Sequence, residues 1–134
     1  NYVTEIVIND KNDIWIGTRV AEKDHPDPSQ RKGPGGVNRL VNGQMLSIPD
    51  IAGFNTNDVF EIHKDQNGNL WTATVRDGLY KYDGRSFEQY EIPISGMSIT
   101  DDQNGKIWLG GAGGLYRIDP DGEIVHVTIQ GPWD

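Results

Sequence analysis

A tryptophan recurs three times in the same local pattern, and this repeat constrains the fold more than any other feature. Residues 9–18, 65–74 and 102–111 each contain a polar turn, an aliphatic residue, a tryptophan and a small residue two places later. The tryptophans are Trp15, Trp71 and Trp108. Self-similarity of this kind is typical of chains that stack equivalent units. The sequence therefore predicts three structural repeats.

Each repeat also carries the signals of short antiparallel strands. A segment that begins with glycine follows each tryptophan, and these glycines are Gly36, Gly78 and Gly114. An Asn-Gly or Asp-Gly pair follows each segment, and such pairs tolerate the positive φ angles of tight hairpins. In the second repeat we expect strands at residues 58–64, 70–74, 78–82 and 86–92. A four-stranded antiparallel unit of about 40 residues is typical of a propeller blade.

The expected fold class is all-β, with three four-stranded antiparallel blades of a β-propeller and no helix of two or more turns. We expect blade one at residues 1–48, blade two at residues 57–92 and blade three at residues 96–129. Propellers close with about 4 to 8 blades. A ring therefore needs partners, which we expect to be the remaining propeller blades or a second copy of the chain.

Composition excludes several kinds of partner and site. The chain has 12 Lys and Arg against 20 Asp and Glu, a net charge of -8, whereas nucleic-acid binding calls for a surplus of basic side chains. It has no cysteine, which excludes disulfides and thiolate chemistry. No apolar run approaches the roughly 20 residues of a membrane helix, so we expect no membrane insertion of this segment.

The first repeat contains an insertion at residues 20–35, where the segment from Trp15 to Gly36 is about three times as long as its equivalents. Its polar, Pro- and Gly-rich sequence indicates a surface loop. In a propeller such a loop lies on the face that also carries the crossings between blades, here residues 51–57 and 94–96, and the turn at residues 112–113. The predicted ligand-binding residues on this face are Arg19, His25, Asp27, Arg31, Lys32, Arg76 and Asp77. Arg and His side chains could bind an anionic or polyhydroxylated ligand, and an idle loop is the alternative.

Three positions on the innermost strands share one register ahead of the tryptophans: Glu5, Glu61 and Ser98. Carboxylates near a propeller channel can hold a divalent metal such as calcium or magnesium, or act as acid and base. Two carboxylates and a serine form an incomplete set, so we prefer channel-lining or salt-bridged side chains. We expect no cofactor and assign no catalytic residue, because no known nucleophile, phosphate-loop or zinc motif is present.

Other conspicuous residues have structural interpretations. One tryptophan per repeat at a fixed register indicates packing between blades, with sugar stacking as the alternative. The Asp-x-Asn-Gly turns resemble pieces of a calcium loop, but the expected Glu is missing and hairpin turns explain them without metal. His63 and His126 have no nearby partner in sequence, and a lone histidine is usually structural.

The repeats resemble the two-component regulator propeller repeat. The residues that carry the resemblance are 65–74, 77–84, Phe87 and Tyr90 in the second repeat, and 102–111 and 114–118 in the third. The first repeat matches less well, since Asn12 and Asn38 replace the usual Gly and Tyr. The resemblance implies a periplasmic or extracellular sensor region of a bacterial hybrid histidine kinase that binds a small-molecule or glycan ligand. Virginiamycin B lyase-like and lactonase-like propellers share the pattern, so a metal-dependent lyase or lactonase is one alternative, and a protein-interaction platform is another.

Overall fold

A computed structural model describes residues 2–19, 27, 36–47, 59–75, 77–128 and 130. Within these residues the chain forms twelve β-strands and no helix. Consequently none of the described segments is a helix of the length and apolarity that a bilayer crossing requires. The expected crossing at residues 51–57 and all of the insertion except Asp27 lie outside the described residues.

The strands fall into three sheets. The first contains β1 (Tyr2–Ile8), β2 (Ile14–Arg19), β3 (Gly36–Val41) and β4 (Gln44–Ser47). The second contains β5 (Val59–Lys64), β6 (Leu70–Thr74), β7 (Leu79–Tyr82) and β8 (Phe87–Tyr90). The third contains β9 (Ser95–Asp101), β10 (Ile107–Ala112), β11 (Gly114–Ile118) and β12 (Ile124–His126).

Each sheet is an antiparallel meander in which the strands pair in chain order. The expected fold class, three four-stranded antiparallel propeller blades, is therefore confirmed. In blade two β6 matches its expected range, β5, β7 and β8 begin one residue later than expected, and β8 ends at Tyr90 instead of residue 92. A tight turn takes the place of the expected strand end. The N–H of Ile94 donates a hydrogen bond to the carbonyl oxygen of Ile92 at 2.8 Å, and Pro93 lies between these two residues.

The turns between the first and second strands are held by carboxylates, as the hairpin interpretation predicts. Asp65 Oδ1 accepts hydrogen bonds from the N–H groups of Asn67 and Asn69, both at 2.9 Å. Asp102 repeats the arrangement in blade three at 2.8 and 3.1 Å. These bonds within the hairpin explain why an aspartate opens this turn in blades two and three.

The repeat glycines start the third strands with positive φ angles, as at Gly78, where φ is 75°. A Cβ atom at Gly78 would lie 2.4 Å from the carbonyl oxygen of Tyr90 on the neighbouring strand. Only glycine therefore fits this close approach of two backbones.

The blades stack through opposite sides of their sheets. We call the side that carries the tryptophan the tryptophan side, and the other the far side. The indole of Trp15 packs against Tyr82 on the far side of blade two, with ring centroids 5.0 Å apart. Two buried clusters result, one between blades one and two and one between blades two and three. Trp15 and Trp71 are buried in them, which supports the packing interpretation.

Candidate ligand-binding face

We call the end of the blades where β2 and β6 finish the insertion face. It carries two residues of the predicted site, Arg19 and Asp77. Arg19 is the last residue of β2 and directly precedes the insertion. Its guanidinium carbon lies 4.3 Å from the ring centroid of Phe60, which is on β5 of blade two. The Arg19 Nε atom is buried and makes no hydrogen bond with the described residues. Arg19 thus bridges two blades.

Asp77 lies on the same face in the turn between β6 and β7. Its N–H donates to the hydroxyl oxygen of Thr74 at 2.9 Å, and its carbonyl oxygen accepts from the Gln89 amide at 2.9 Å. Together with Glu91 and Pro93 it lines a shallow cleft of about 440 Å³. The backbone bonds fix the turn and leave the Asp77 carboxylate outside them.

In blade three the corresponding turn meets the passage that enters the blade. Ala112 pairs with Ser95, and a Cβ atom at Gly113 would lie 2.7 Å from the side chain of Ile94. The expected proximity of residues 112–113 to the crossing is therefore observed. Asp27 is exposed, while the other predicted members of the site lie outside the described residues: His25, Arg31, Lys32 and Arg76.

The inner-strand carboxylates occupy the expected register, since Glu5, Glu61 and Ser98 pair with Gly17, Ala73 and Gly110 respectively. Glu61 Oε2 accepts a hydrogen bond at 3.0 Å from the N–H of Ile99 on blade three, whereas Glu5 Oε1 accepts one from its own neighbour Ile6. The Glu61 carboxylate therefore joins two blades. Because this partner is a backbone N–H, the expectation of channel-lining or salt-bridged carboxylates stays a prediction.

Both histidines have partners that sequence reasoning missed. The Nε2 atom of His63 lies 2.7 Å from Asp101 Oδ1 on the next blade. Burial raises the pKa of Asp101, but hydrogen bonds from His63 and from the N–H of Gln66 lower this pKa by more. His126 stacks on Tyr116 with ring centroids 4.6 Å apart. The His63 partner is 38 residues away in the chain, so only the stacking of blades reveals it.

A basic residue of the third strand covers each tryptophan, and sequence reasoning missed this feature too. Its charged group lies 5.5, 5.5 and 5.9 Å from the indole centroid in blades one, two and three. The residues are Arg39, Lys81 and Arg117, each three positions after a repeat glycine. That constant spacing is the signal that could have revealed them. Because Trp15 and Trp71 are buried and covered, a sugar has no free indole face there, and the stacking alternative is disfavoured.

The end of the blades opposite the insertion face contains two clefts and one acidic cluster. A cleft of about 300 Å³ lies between blades one and two, and one of about 380 Å³ lies between blades two and three. Carboxylate oxygens of Asp119, Asp121 and Glu123 come within 4.8 Å of one another. Both Asp119 oxygens accept bonds from Arg117, at 2.6 and 3.0 Å, and these bonds lower the Asp119 pKa. The ion pair and the turn account for these residues.

Comparison with solved structures identifies similar blades in three proteins. The extracellular domain of a hybrid two-component system, BT3049 from B. thetaiotaomicron, shares 25% identity with a TM-score of 0.71 over 95% of this chain. A second such domain, BT4673 from the same organism, shares 19% identity with a TM-score of 0.65 over 98% of this chain. A streptogramin B lyase shares 17% identity with a TM-score of 0.69 over 98% of this chain.

The chain spans 16%, 19% and 42% of those three proteins. No protein-family model matches the sequence, and no curated protein matches it either. The likeness to the lyase, at its low identity, concerns the fold alone. The chain thus has the fold of a β-propeller segment, and its resemblance to the two-component regulator propeller is confirmed by the extracellular domains to which it is structurally similar.

Proposed function

We propose that the chain is part of a periplasmic or extracellular sensor region of a bacterial signalling protein, where it binds a small polar ligand or glycan fragment without transforming it. The observation that carries this proposal is the match over 95% of the chain to the extracellular domain of a hybrid two-component system. Because the chain spans 16% of that protein, signal output would belong to other parts of a longer protein.

The insertion face supports a ligand site through Arg19. Arg39 and Arg117 are neutralised by salt bridges to Asp13 and Asp119. Arg19 forms no salt bridge with a described residue, although its guanidinium is held against Phe60. A guanidinium fixed in place presents several donors to a carboxylate or to neighbouring hydroxyl groups. The site therefore favours an acidic or polyhydroxylated ligand.

Thermal-shift measurements on the full chain test this site with neutral hexoses and with glucuronic and galacturonic acids. We expect at least one of these sugars to raise the melting temperature. Arg19→Lys, which keeps the charge but loses the planar fork, should reduce the shift, and deletion of residues 20–35 should abolish it. Arg85→Ala, an exposed change at the opposite end of the blades, is the matched control and should leave it intact. A panel without any shift, or a shift unchanged in both altered chains, would overturn the site.

A metal-dependent propeller lyase is the second candidate, since a streptogramin B lyase shares the fold. Glu61 is the inner carboxylate to test, and Glu61→Gln retains an oxygen that can accept from the Ile99 N–H. The sensor proposal expects Mg²⁺ and Ca²⁺ to leave the melting temperature of both chains unchanged. Metal-specific stabilisation of the native chain that disappears in Glu61→Gln would favour the lyase instead.

A further inference from the structure

Trp15 has a buried indole N–H group for which the described part of the chain offers no acceptor. Only 1% of Trp15 is exposed, and its Nε1 atom makes no hydrogen bond with a described residue. The equivalent atoms of Trp71 and Trp108 donate to aspartate Oδ2 atoms at 2.8 and 2.9 Å. Because a buried donor without an acceptor is destabilising, this difference between equivalent blades needs a local cause.

The cause is a change of residue type in the first hairpin. Blades two and three have Asp65 and Asp102 six positions before the tryptophan, whereas blade one has Asn9 there. Asn9 Oδ1 accepts from the N–H groups of Lys11 and Asp13, at 3.0 and 2.9 Å. These two bonds fix the orientation of the amide and put its Nδ2 atom in the place of the aspartate Oδ2. A nitrogen donor therefore stands where the other blades have a carboxylate oxygen.

The neighbouring carboxylate of Asp13 does not replace the lost oxygen. Its Oδ2 atom accepts from Arg39 Nε at 3.0 Å and lies 3.5 Å from Asn9 Nδ2. The Arg39 guanidinium in turn lies 5.5 Å from the ring centroid of Trp15. Blade one thus offers two N–H donors at the position where the other blades pair a donor with an acceptor, and a guanidinium lies beside them.

These donors belong to a cleft through which a ligand can reach them. Asn9 and Trp15 both line the cleft of about 300 Å³ between blades one and two. The carboxylates of its lining have partners of their own, since Asp10 pairs with Lys64 at 3.0 Å and Asp83 accepts from N–H groups of its own turn. The cleft can therefore take an added carboxylate beside the two donors.

We propose that this cleft binds a short, unbranched carboxylate such as acetate, with one oxygen accepting from Trp15 Nε1 and Asn9 Nδ2. The aspartates of blades two and three indicate the ligand class, because their carboxylates accept from the same indole atom in charge-assisted hydrogen bonds. The burial of Trp15 admits only a slim ligand, so a carboxyl group on a sugar ring is too wide. The site lies at the opposite end of the blades from the insertion face and is independent of the ligand proposed there.

Two-dimensional NMR of the indole N–H groups of the full chain tests the site, with sodium acetate replacing sodium chloride at constant ionic strength. The Trp15 Nε1–H resonance should shift and saturate, whereas that of Trp71, which is already bonded to Asp65, should stay in place. Asn9→Asp supplies the carboxylate covalently, so its Trp15 resonance should no longer respond to acetate. Sodium glucuronate should leave the resonance of the native chain unchanged.

The reverse change in blade two is the matched variant. Asp65→Asn removes the carboxylate beside Trp71, which lines the neighbouring cleft, so the Trp71 resonance should now respond to acetate. Circular dichroism of both variants checks that they fold. A native Trp15 resonance that ignores acetate, as in a cleft that holds only water, would overturn the proposal. An equal response in folded Asn9→Asp, an equal response to glucuronate, or an unresponsive Trp71 in folded Asp65→Asn would each overturn it too.

Discussion

The aspartates that open the hairpin turns act on both the turn and the core. Asp65 uses Oδ1 for the turn and accepts from Trp71 Nε1 with Oδ2 at 2.8 Å, and blade three repeats this bond at 2.9 Å. Blade one has Asn9 at this position, and its Oδ1 already accepts from two turn N–H groups. Its other atom is a nitrogen, which cannot accept. The Nε1 atom of Trp15 is accordingly buried without a partner among the described residues.

This comparison predicts the effect of Asp65→Asn, which gives blade two the same residue type that blade one has at the equivalent position, Asn9. The Asn oxygen can still hold the turn, but the buried Trp71 N–H loses its acceptor. We expect the free energy of unfolding in urea to fall by about 1–3 kcal/mol. Asp121→Asn is the control, since Asp121 is exposed and bonds only within its own turn. Equal losses for the two variants would contradict the role of the Trp71 bond.

Aspartates also determine how the stability of the fold depends on pH. The pKa of Asp101 is lowered, because hydrogen bonds from His63 and from the Gln66 N–H outweigh the effect of burial. The pKa of an aspartate in the unfolded chain is about 3.9. A carboxyl group with a lower pKa in the folded chain stabilises the fold at pH values above about 3.9, and this stabilisation is lost as the pH falls through the folded pKa. Bonds from Arg39 and Trp108 lower the pKa values of Asp13 and Asp102 similarly.

We therefore expect the free energy of unfolding to decrease as the pH is taken below about 4. Asp101→Asn should make this decrease less steep, since one of the contributing carboxyl groups no longer titrates. Urea unfolding of both chains between pH 6 and pH 2.5 measures the difference. Identical slopes in the two chains would show that Asp101 does not contribute.

Individual blades were predictable from the sequence because the interactions that form them are local. Hairpin turns depend on residues within a few positions of one another, as in the bonds from Asp65 to Asn67 and Asn69. Contacts between blades were not predictable, because they join positions far apart in the chain. Arg19 was identified as a ligand-binding candidate, but its contact with Phe60 needed the stacking of two sheets.

Two glycines of similar backbone conformation, Gly78 before a strand and Gly43 in a hairpin turn, allow a prediction about close backbone packing. Gly78 and Gly43 have nearly equal φ angles, 75° and 78°, but only Gly78 lies against a neighbouring backbone. Gly43→Ala should lower the free energy of unfolding by roughly 1–2 kcal/mol through its backbone conformation alone. Gly78→Ala should lower it by at least about twice as much, since the Tyr90 carbonyl blocks the new methyl group. Comparable losses in urea unfolding would show that the close approach is unimportant.

At the scale of the whole molecule, the three blades have surfaces with different properties. The insertion face carries Arg19 and Asp77 and is the proposed place of ligand binding. The opposite end contains the carboxylate turns and salt bridges that hold each hairpin. The far side of blade one is apolar, and Trp108 lies on the other outer side of the stack. A chain with a net charge of -8 thus concentrates its exposed apolar side chains where another blade would pack.

The concentration dependence of thermal unfolding tests the central claim, that these blades form an arc completed by another blade. If native copies cover each other's open sides, mass action stabilises the folded assembly and its melting temperature rises with protein concentration. We predict such a rise over a hundredfold range of concentration. Met45→Glu should abolish it, because Met45 is exposed on the far side of blade one and the change places a charge there. A native chain whose melting temperature is the same at every concentration would contradict the account.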